Sequence, residues 1–254
     1  NPILIQALAD AYQAAGLRGE ALQAARRATE LLPADPEIQL WFVKIAHENA
    51  GEPGEILAAV NRAAQLIPQE AGILLQLAAT QEMVGLFTPA RHTYQQAARL
   101  DGITLNQLHQ AARGLLHLDD PGNAIACLER IRQAYQRDLS EISAEVLEDL
   151  AQAYRRSGEI TKALGVVDEA LQKHPPLPSL HLLKAELHLE SGAPLAAQAC
   201  LEQTLLLDPA NVQALRGLIR VHTDAGKLEN ALEYALQWTD LYRMQPDDPQ
   251  ALSA

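Results

Sequence analysis

One residue type sets the limits on what this chain can fold into: a glycine that returns at nearly constant intervals. Gly16, Gly51, Gly85, Gly158, Gly192 and Gly226 follow one another at 35, 34, 73, 34 and 34 residues, and Asp119, 34 residues after Gly85, divides the long interval. Five residues beyond each of these positions stands Ala21, Ile56, Ala90, Ala124, Ala163, Ala197 or Ala231, and four residues before it Tyr12, His47, Gln81, Leu115, Tyr154, His188 or His222. Pro33, Pro68, Pro175 and Pro209 close four of the units. Such a period means that each unit is one supersecondary element, unable to bury its apolar face alone and stacked on its neighbours.

The first unit shows the physics. Ile5, Leu8, Ala9 and Tyr12 lie at i, i+3, i+4 and i+7, an apolar stripe along one helix that Gly16 ends. Ala21, Ala25 and Ala28 mark a second helix whose small side chains let two axes approach closely across a short turn. Pro33 stops that helix, and Pro36 opens the next unit. Composition agrees: 48% of residues are hydrophobic but only 4% aromatic, which suits thin layers of close-packed helices better than one core built around Phe and Trp.

The predicted units span 2–35, 37–70, 71–104, 105–138, 144–177, 178–211 and 212–245, with one extra residue after the first, five (139–143) after the fourth, and a polar tail at 246–254. The fourth unit is degenerate, with Asp119-Asp120-Pro121-Gly122 in place of the glycine turn. Its second helix continues through Tyr135, about one turn beyond the usual end, and Asp138-Leu139-Ser140-Glu141 offers a cap for the next helix. The insertion reads either as a tolerated surface loop or as a hinge between a four-unit and a three-unit block.

The series Ile5-Leu8-Ala9-Tyr12-Ala21-Ala25-Ala28-Pro33 and Leu147-Leu150-Ala151-Tyr154-Ala163-Val167-Ala170-Pro175 resembles the tetratricopeptide repeat, a 34-residue helix-turn-helix unit. The resemblance implies an all-α, right-handed α-solenoid of about seven repeats and fourteen helices. The pentatricopeptide repeat has a similar length but binds RNA, which a net charge of −12 argues against.

Charge and motifs exclude several functions. Twenty Lys and Arg against 32 Asp and Glu disfavour nucleic acid and anionic membrane surfaces, both of which need clustered cations. No apolar run reaches the roughly 20 residues of a membrane span. Phosphate-loop, dinucleotide, zincin and serine-hydrolase motifs are all missing, so the chain reads as a non-enzyme without a cofactor. His181 with His188, and His109 with His117, are too far apart along their helices to share one ion, and His47, His188 and His222 fill the slot of Tyr12 and Tyr154, so no metal site is expected. Cys127 and Cys200, two repeats apart, are expected as free thiols in a reducing compartment, which the cytoplasm provides. Fifteen Arg against five Lys, with abundant Ala, suggests a bacterial source, and a start at Asn1-Pro2 suggests a processed chain or a piece of a larger protein.

In the resembled family the concave face made by the first helices commonly binds peptides or extended protein segments. The positions that map there give apolar anchors in units two and three (Trp41, Ile45 and Leu75, with Phe42 beside them), His109 and Arg113 in four, Glu148, Gln152 and Arg155 in five, Leu182, Glu186 and Leu189 in six, and Arg216, Arg220 and Thr223 in seven. Trp41 and Phe42 have a second reading as core residues that fill space beside Lys44. The carboxylate clamp of chaperone-tail adaptors is absent, since Gln6, Asp10, Phe42, Gly72 and Gln76 occupy its places without a cation. The function implied is a scaffold that binds a protein or peptide partner; the alternative is a structural or regulatory arm of a larger bacterial protein. Trp238, where earlier units carry Ala28, Ala63, Ala97 and Ala170, is expected either to join two copies into a homodimer or to cap its own repeat with Tyr242 and the tail.

Overall fold

A computed structural model of the chain describes residues 2–137 and 141–244. Its elements are α1 (Pro2–Ala14), α2 (Arg18–Leu31), α3 (Pro36–Glu48), α4 (Pro53–Leu66), α5 (Ala71–Met83), α6 (Phe87–Ala98), α7 (Leu105–His117), α8 (Pro121–Arg137), α9 (Ala144–Arg156), α10 (Ile160–Lys173), α11 (Pro178–Glu190), α12 (Pro194–Leu207), α13 (Val212–Asp224) and α14 (Leu228–Met244). Among the described residues these fourteen helices are the regular structure, with no strand. They form two compact units, residues 1–138 with α1 to α8 and residues 139–254 with α9 to α14. In each unit every odd-numbered helix packs on the even-numbered helix after it, and each pair packs on the next. No described helix is long and apolar enough to cross a membrane.

The turns inside the pairs explain the glycine period. The first helix of a pair ends in a Schellman motif: Leu17 N–H donates to Tyr12 C=O at 2.9 Å and Gly16 N–H to Gln13 C=O at 3.0 Å, with Gly16 at φ +74°. Asp119 takes the same role at φ +56°, with Asp120 N–H bonded to Leu115 C=O at 2.8 Å. Asp tolerates the left-handed region better than most side chains, so the degenerate unit keeps its turn.

The second unit departs from the expected register. There the left-handed residue is Ala50, at φ +54°, and Gly51 comes after it, donating to Ala46 C=O at 2.7 Å. Glycine is required at 51 for space, because a Cβ would lie 2.7 Å from that of Ala46. The α3–α4 turn is therefore residues 49–52, one longer than residues 15–17 between α1 and α2, and the extra residue lies inside this pair and not between the first two repeats. Along α3 each core position falls one residue earlier than the glycine count implies. Val43 and Ala46 are fully buried in the register of Ala9 and Tyr12, while Lys44 and His47 are exposed. His47 thus does not fill the aromatic slot. His222 does: it is 1% exposed and stacks on Tyr234 with centroids 5.6 Å apart.

Helix starts are set by local chemistry. The Asp35 carboxylate accepts from Glu37 N–H and Ile38 N–H, Thr104 and Gln107 form a capping box, and proline opens α3, α4, α11 and α12. Helix α8 runs 17 residues against 14 for α2 and α4, the extra turn expected of it. The cap of α9 is Ser143, whose Oγ accepts from Val146 N–H at 3.4 Å, so the start of this unit does not use the cap predicted at 138–141, of which 138–140 lie outside the described residues. Trp238 is half-buried on α14; the side chain of Tyr242 and the tail at 246–254 also lie outside them.

Packing is closest where the sequence carries glycine on a first helix. A Cβ on Gly114 of α7 would stand 2.3 Å from Cζ of Tyr94, a buried ring on α6 whose hydroxyl donates to Glu82 at 3.3 Å. Gly114→Ala gains about 1 kcal/mol of helix propensity but overfills the site at about 1–3 kcal/mol. Net destabilisation is expected, read as a lower melting temperature, and a melting point at or above that of the parent chain would contradict this packing. The two thiols make a second test. Both cysteines are free; Cys127 is 4% exposed and burial pushes its thiol up to about 11, the nearby Arg130 opposing in part, whereas Cys200 is half-buried. Thiol titration is expected to find slow native reaction at Cys127, faster reaction at Cys200, and two thiols after denaturation without reductant.

Candidate functional site

In the unit of α9 to α14, the first helices α9, α11 and α13 line one concavity of about 760 Å³. Arg155 comes from α9, Leu182, Glu186, Leu189 and Glu190 from α11, and Gln213, Arg216, Ile219, Arg220 and Thr223 from α13. Its floor belongs to the core, since Leu182 and Leu189 pack against a buried cluster that includes Ala185, Leu201, Ala214 and Leu218. Leu201 reaches the floor from α12 because position 217 is glycine, where a Cβ would lie 2.9 Å from its Cδ1.

The charges in this concavity fall into two groups. Arg155 bridges both carboxylates of α11: its Nε donates to Glu190 Oε1 at 2.7 Å, and its Nη1 donates to Glu186 Oε2. The guanidinium is well over half covered, and it commits both carboxylates in the site that α11 supplies. Arg216 and Arg220, one turn apart on α13, are exposed and have neither hydrogen bond nor ion pair among the described residues. On α11, outside the lining of the concavity, burial and then the charge of Lys184 push His181 and His188 below the usual imidazole value.

The other predicted site residues are distributed differently. Glu148 and Gln152 are half-buried on α9, where Ser179 Oγ donates to Glu148 at 3.1 Å, and neither lines the concavity. Ile45 and Leu75 are each 1% exposed, so the expectation of an apolar anchor pocket at these two is corrected to core, and Phe42, 3% exposed, takes its second reading as a core residue. Ile45 is displaced from the surface by the one-residue shift in α3. Leu75 holds the position expected of it, but it is buried on α5, a helix that packs on α4, α6 and α7. Trp41 is half-buried, His109 half-buried and Arg113 exposed.

Arg155 and Glu186 stand at groove positions read from the sequence, and the residue that sequence reasoning left out is Glu190, together with the pairing itself. A signal existed. Residues 155 and 190 are one period plus one apart, as are Gln13 and Glu48, which are hydrogen bonded in the other unit. Complementary polar residues at that offset meet across adjacent first helices.

Two family models, each described as tetratricopeptide repeat, match residues 144–187 and 182–251. Among curated proteins, "Cellulose synthase operon protein C" of Xanthomonas axonopodis pv. citri (strain 306) is 31% identical over 81 residues, which are 32% of this chain and 5% of that protein. The chain therefore spans a small fraction of that relative's length. Among solved structures, the C-terminal part of a TPR repeat-containing protein from Cytophaga hutchinsonii superposes with a TM-score of 0.66 at 15% identity, covering 96% of each chain. YrrB, described as a TPR protein with an unusual peptide-binding site, superposes with a TM-score of 0.60 at 16% identity over 77% of this chain and 97% of its own. Tetratricopeptide-repeat models thus match residues 144–251, and the helix pairs and the solved structures show that the chain has the fold of tetratricopeptide-repeat proteins.

The two charge groups differ in what they do for stability. Replacing Arg155 by Ala leaves Glu186 and Glu190, like charges one turn apart, without their shared cation. A loss of about 1–2 kcal/mol is expected, between the exposed and buried limits for ion pairs. Arg216→Ala with Arg220→Ala is expected to leave the melting temperature within about 1 °C, since surface changes away from contacts cost little. Equal melting losses in the two variants would contradict the assignment.

Proposed function

We propose that this protein is a non-catalytic interaction scaffold that holds an extended peptide segment of a partner protein against α9, α11 and α13. The fold supports a protein–protein interaction scaffold, and the observation that carries the more specific reading is the concavity itself. It joins a rigid apolar floor (Leu182, Leu189) to polar groups on both walls, the composition that small ligand sites share. An extended segment suits the face because three parallel first helices offer a continuous strip without needing the ligand to fold. A similarly built solved protein, YrrB, is described as having a peptide-binding site, which supports the reading by analogy.

A second reading, an assembly arm of a larger bacterial protein, is favoured by the match to a short stretch of a far longer bacterial relative. The two differ in whether the full chain captures peptides by itself.

The test is selection from a random dodecapeptide library on the immobilised full-length chain, with affinity then measured on the selected peptides. Gln213 is exposed and lines the concavity, so Gln213→Trp occupies the site with bulk while leaving the core intact. At least about tenfold weaker binding with an unchanged melting temperature is expected. Selected peptides that bind Gln213→Trp as tightly as the parent chain would place recognition elsewhere, and an empty selection would favour the assembly arm.

A further inference from the structure

The charge that this concavity leaves uncommitted is positive, although the chain as a whole carries −12. Glu186 and Glu190 both answer to Arg155. Arg216 and Arg220 answer to nothing among the described residues, and Asp224, which also borders the site, makes no ion pair with either. Two guanidiniums one turn apart on a helix stand about 5–6 Å apart at their Cβ atoms. That spacing lets both forks close on one carboxylate, or on two carboxylates alternating along an extended strand. Opposite them, Leu182 and Leu189 offer an apolar floor that a charged group does not fill.

From this arrangement we infer that the partner segment is acidic and apolar at once: an extended peptide that seats an aliphatic or aromatic side chain on Leu182 and Leu189 and presents one or two Asp, Glu or terminal carboxylates to Arg216 and Arg220. The inference rests on the proposed peptide-binding reading of this face and adds the chemistry of the ligand. Uncommitted arginine is what makes the assignment sharp. Arg155, equally cationic, is already satisfied and has no fork left to offer, so recognition is confined to the α13 wall. A phosphodiester backbone would suit two arginines equally well in isolation. It is disfavoured because the acidic remainder of the chain repels a polyanion, whereas a short segment with one or two charges meets only the local pair.

The experiment uses the full chain and peptides from the random dodecapeptide selection. The parent chain is expected to enrich peptides that combine an apolar residue with Asp or Glu. Changing those acids to Asn or Gln should weaken binding to the parent about tenfold or more, while Arg216→Gln/Arg220→Gln should bind the acidic and neutralised peptides alike. Neutral or basic selected peptides would overturn the inference. So would an acid-to-amide loss of the same size on parent and double variant, which would put the carboxylate elsewhere. If Gln213→Trp removes binding but the arginine variant does not, the peptide site stands and its acidic preference falls; if Gln213→Trp binds normally, the site itself falls. An oligouridylate of equal charge serves as the nucleic-acid arm, and tighter binding of it than of the peptide, lost in the double variant, would overturn the peptide assignment.

Discussion

Close approach of two helices joined by three residues is the constraint on which the rest of this structure depends. A pair can close only if the facing side chains are small, and the columns that face inward are mostly alanine. Ala21, Ala90, Ala124, Ala163 and Ala197 are completely buried, as are Ala28, Ala63, Ala97 and Ala170 on the same set of helices. Each pair then exposes larger residues to the next, where Leu147, Leu150, Leu180 and Leu187 are buried without measurable exposure. The labour is thus divided: alanine sets the distance within a pair, and leucine supplies the apolar area between pairs, at about 1.5–3 kcal/mol for each fully buried side chain. The left-handed turn residue makes this possible by ending the first helix abruptly enough for the second to turn back at once.

The same economy frees the first helices for function. Their inner column, which holds Gln6, Leu75, His109, Glu148, Leu182 and Arg216, carries no packing requirement as strict as the alanines, so its chemistry varies from repeat to repeat. Where it is buried, as at Leu75, the column joins the core. Where it stays open, as along α11 and α13, it forms a site whose floor is core and whose rim is charged. On the proposed reading, recognition uses the open column and stability the buried ones, and the two charge groups of the concavity are separable because one is paired and the other is not.

Much of this was legible in the residues. The 34-residue period carried the helix pairs, and the Asp119 turn was visible as a gap of the right length, because backbone geometry and small-residue packing are local and repeat faithfully. The α3 register was not legible. Counting on Gly51 places the turn one residue late, and only the backbone shows that Ala50 carries the positive φ while glycine is kept for contact with Ala46. A one-residue error rotates a helix by about 100°, enough to put buried Ile45 on the surface. Of the candidate site, Arg216 and Arg220 were found from their column. Their significance was hidden, because it depends on which cations are already paired, and the reach of Arg155 to Glu186 and Glu190 is settled by side-chain geometry between repeats.

The most direct measurement of the central claim, that recognition uses the first-helix face of the unit containing α9 to α14, is amide-resolved nuclear magnetic resonance of the full-length chain titrated with a selected peptide. Shifts are expected to concentrate on α11 and α13, around Leu182 to Glu190 and Gln213 to Thr223, with α10, α12 and α14 largely unmoved. Shifts confined to α10, α12 and α14, or to the unit of α1 to α8, would contradict it.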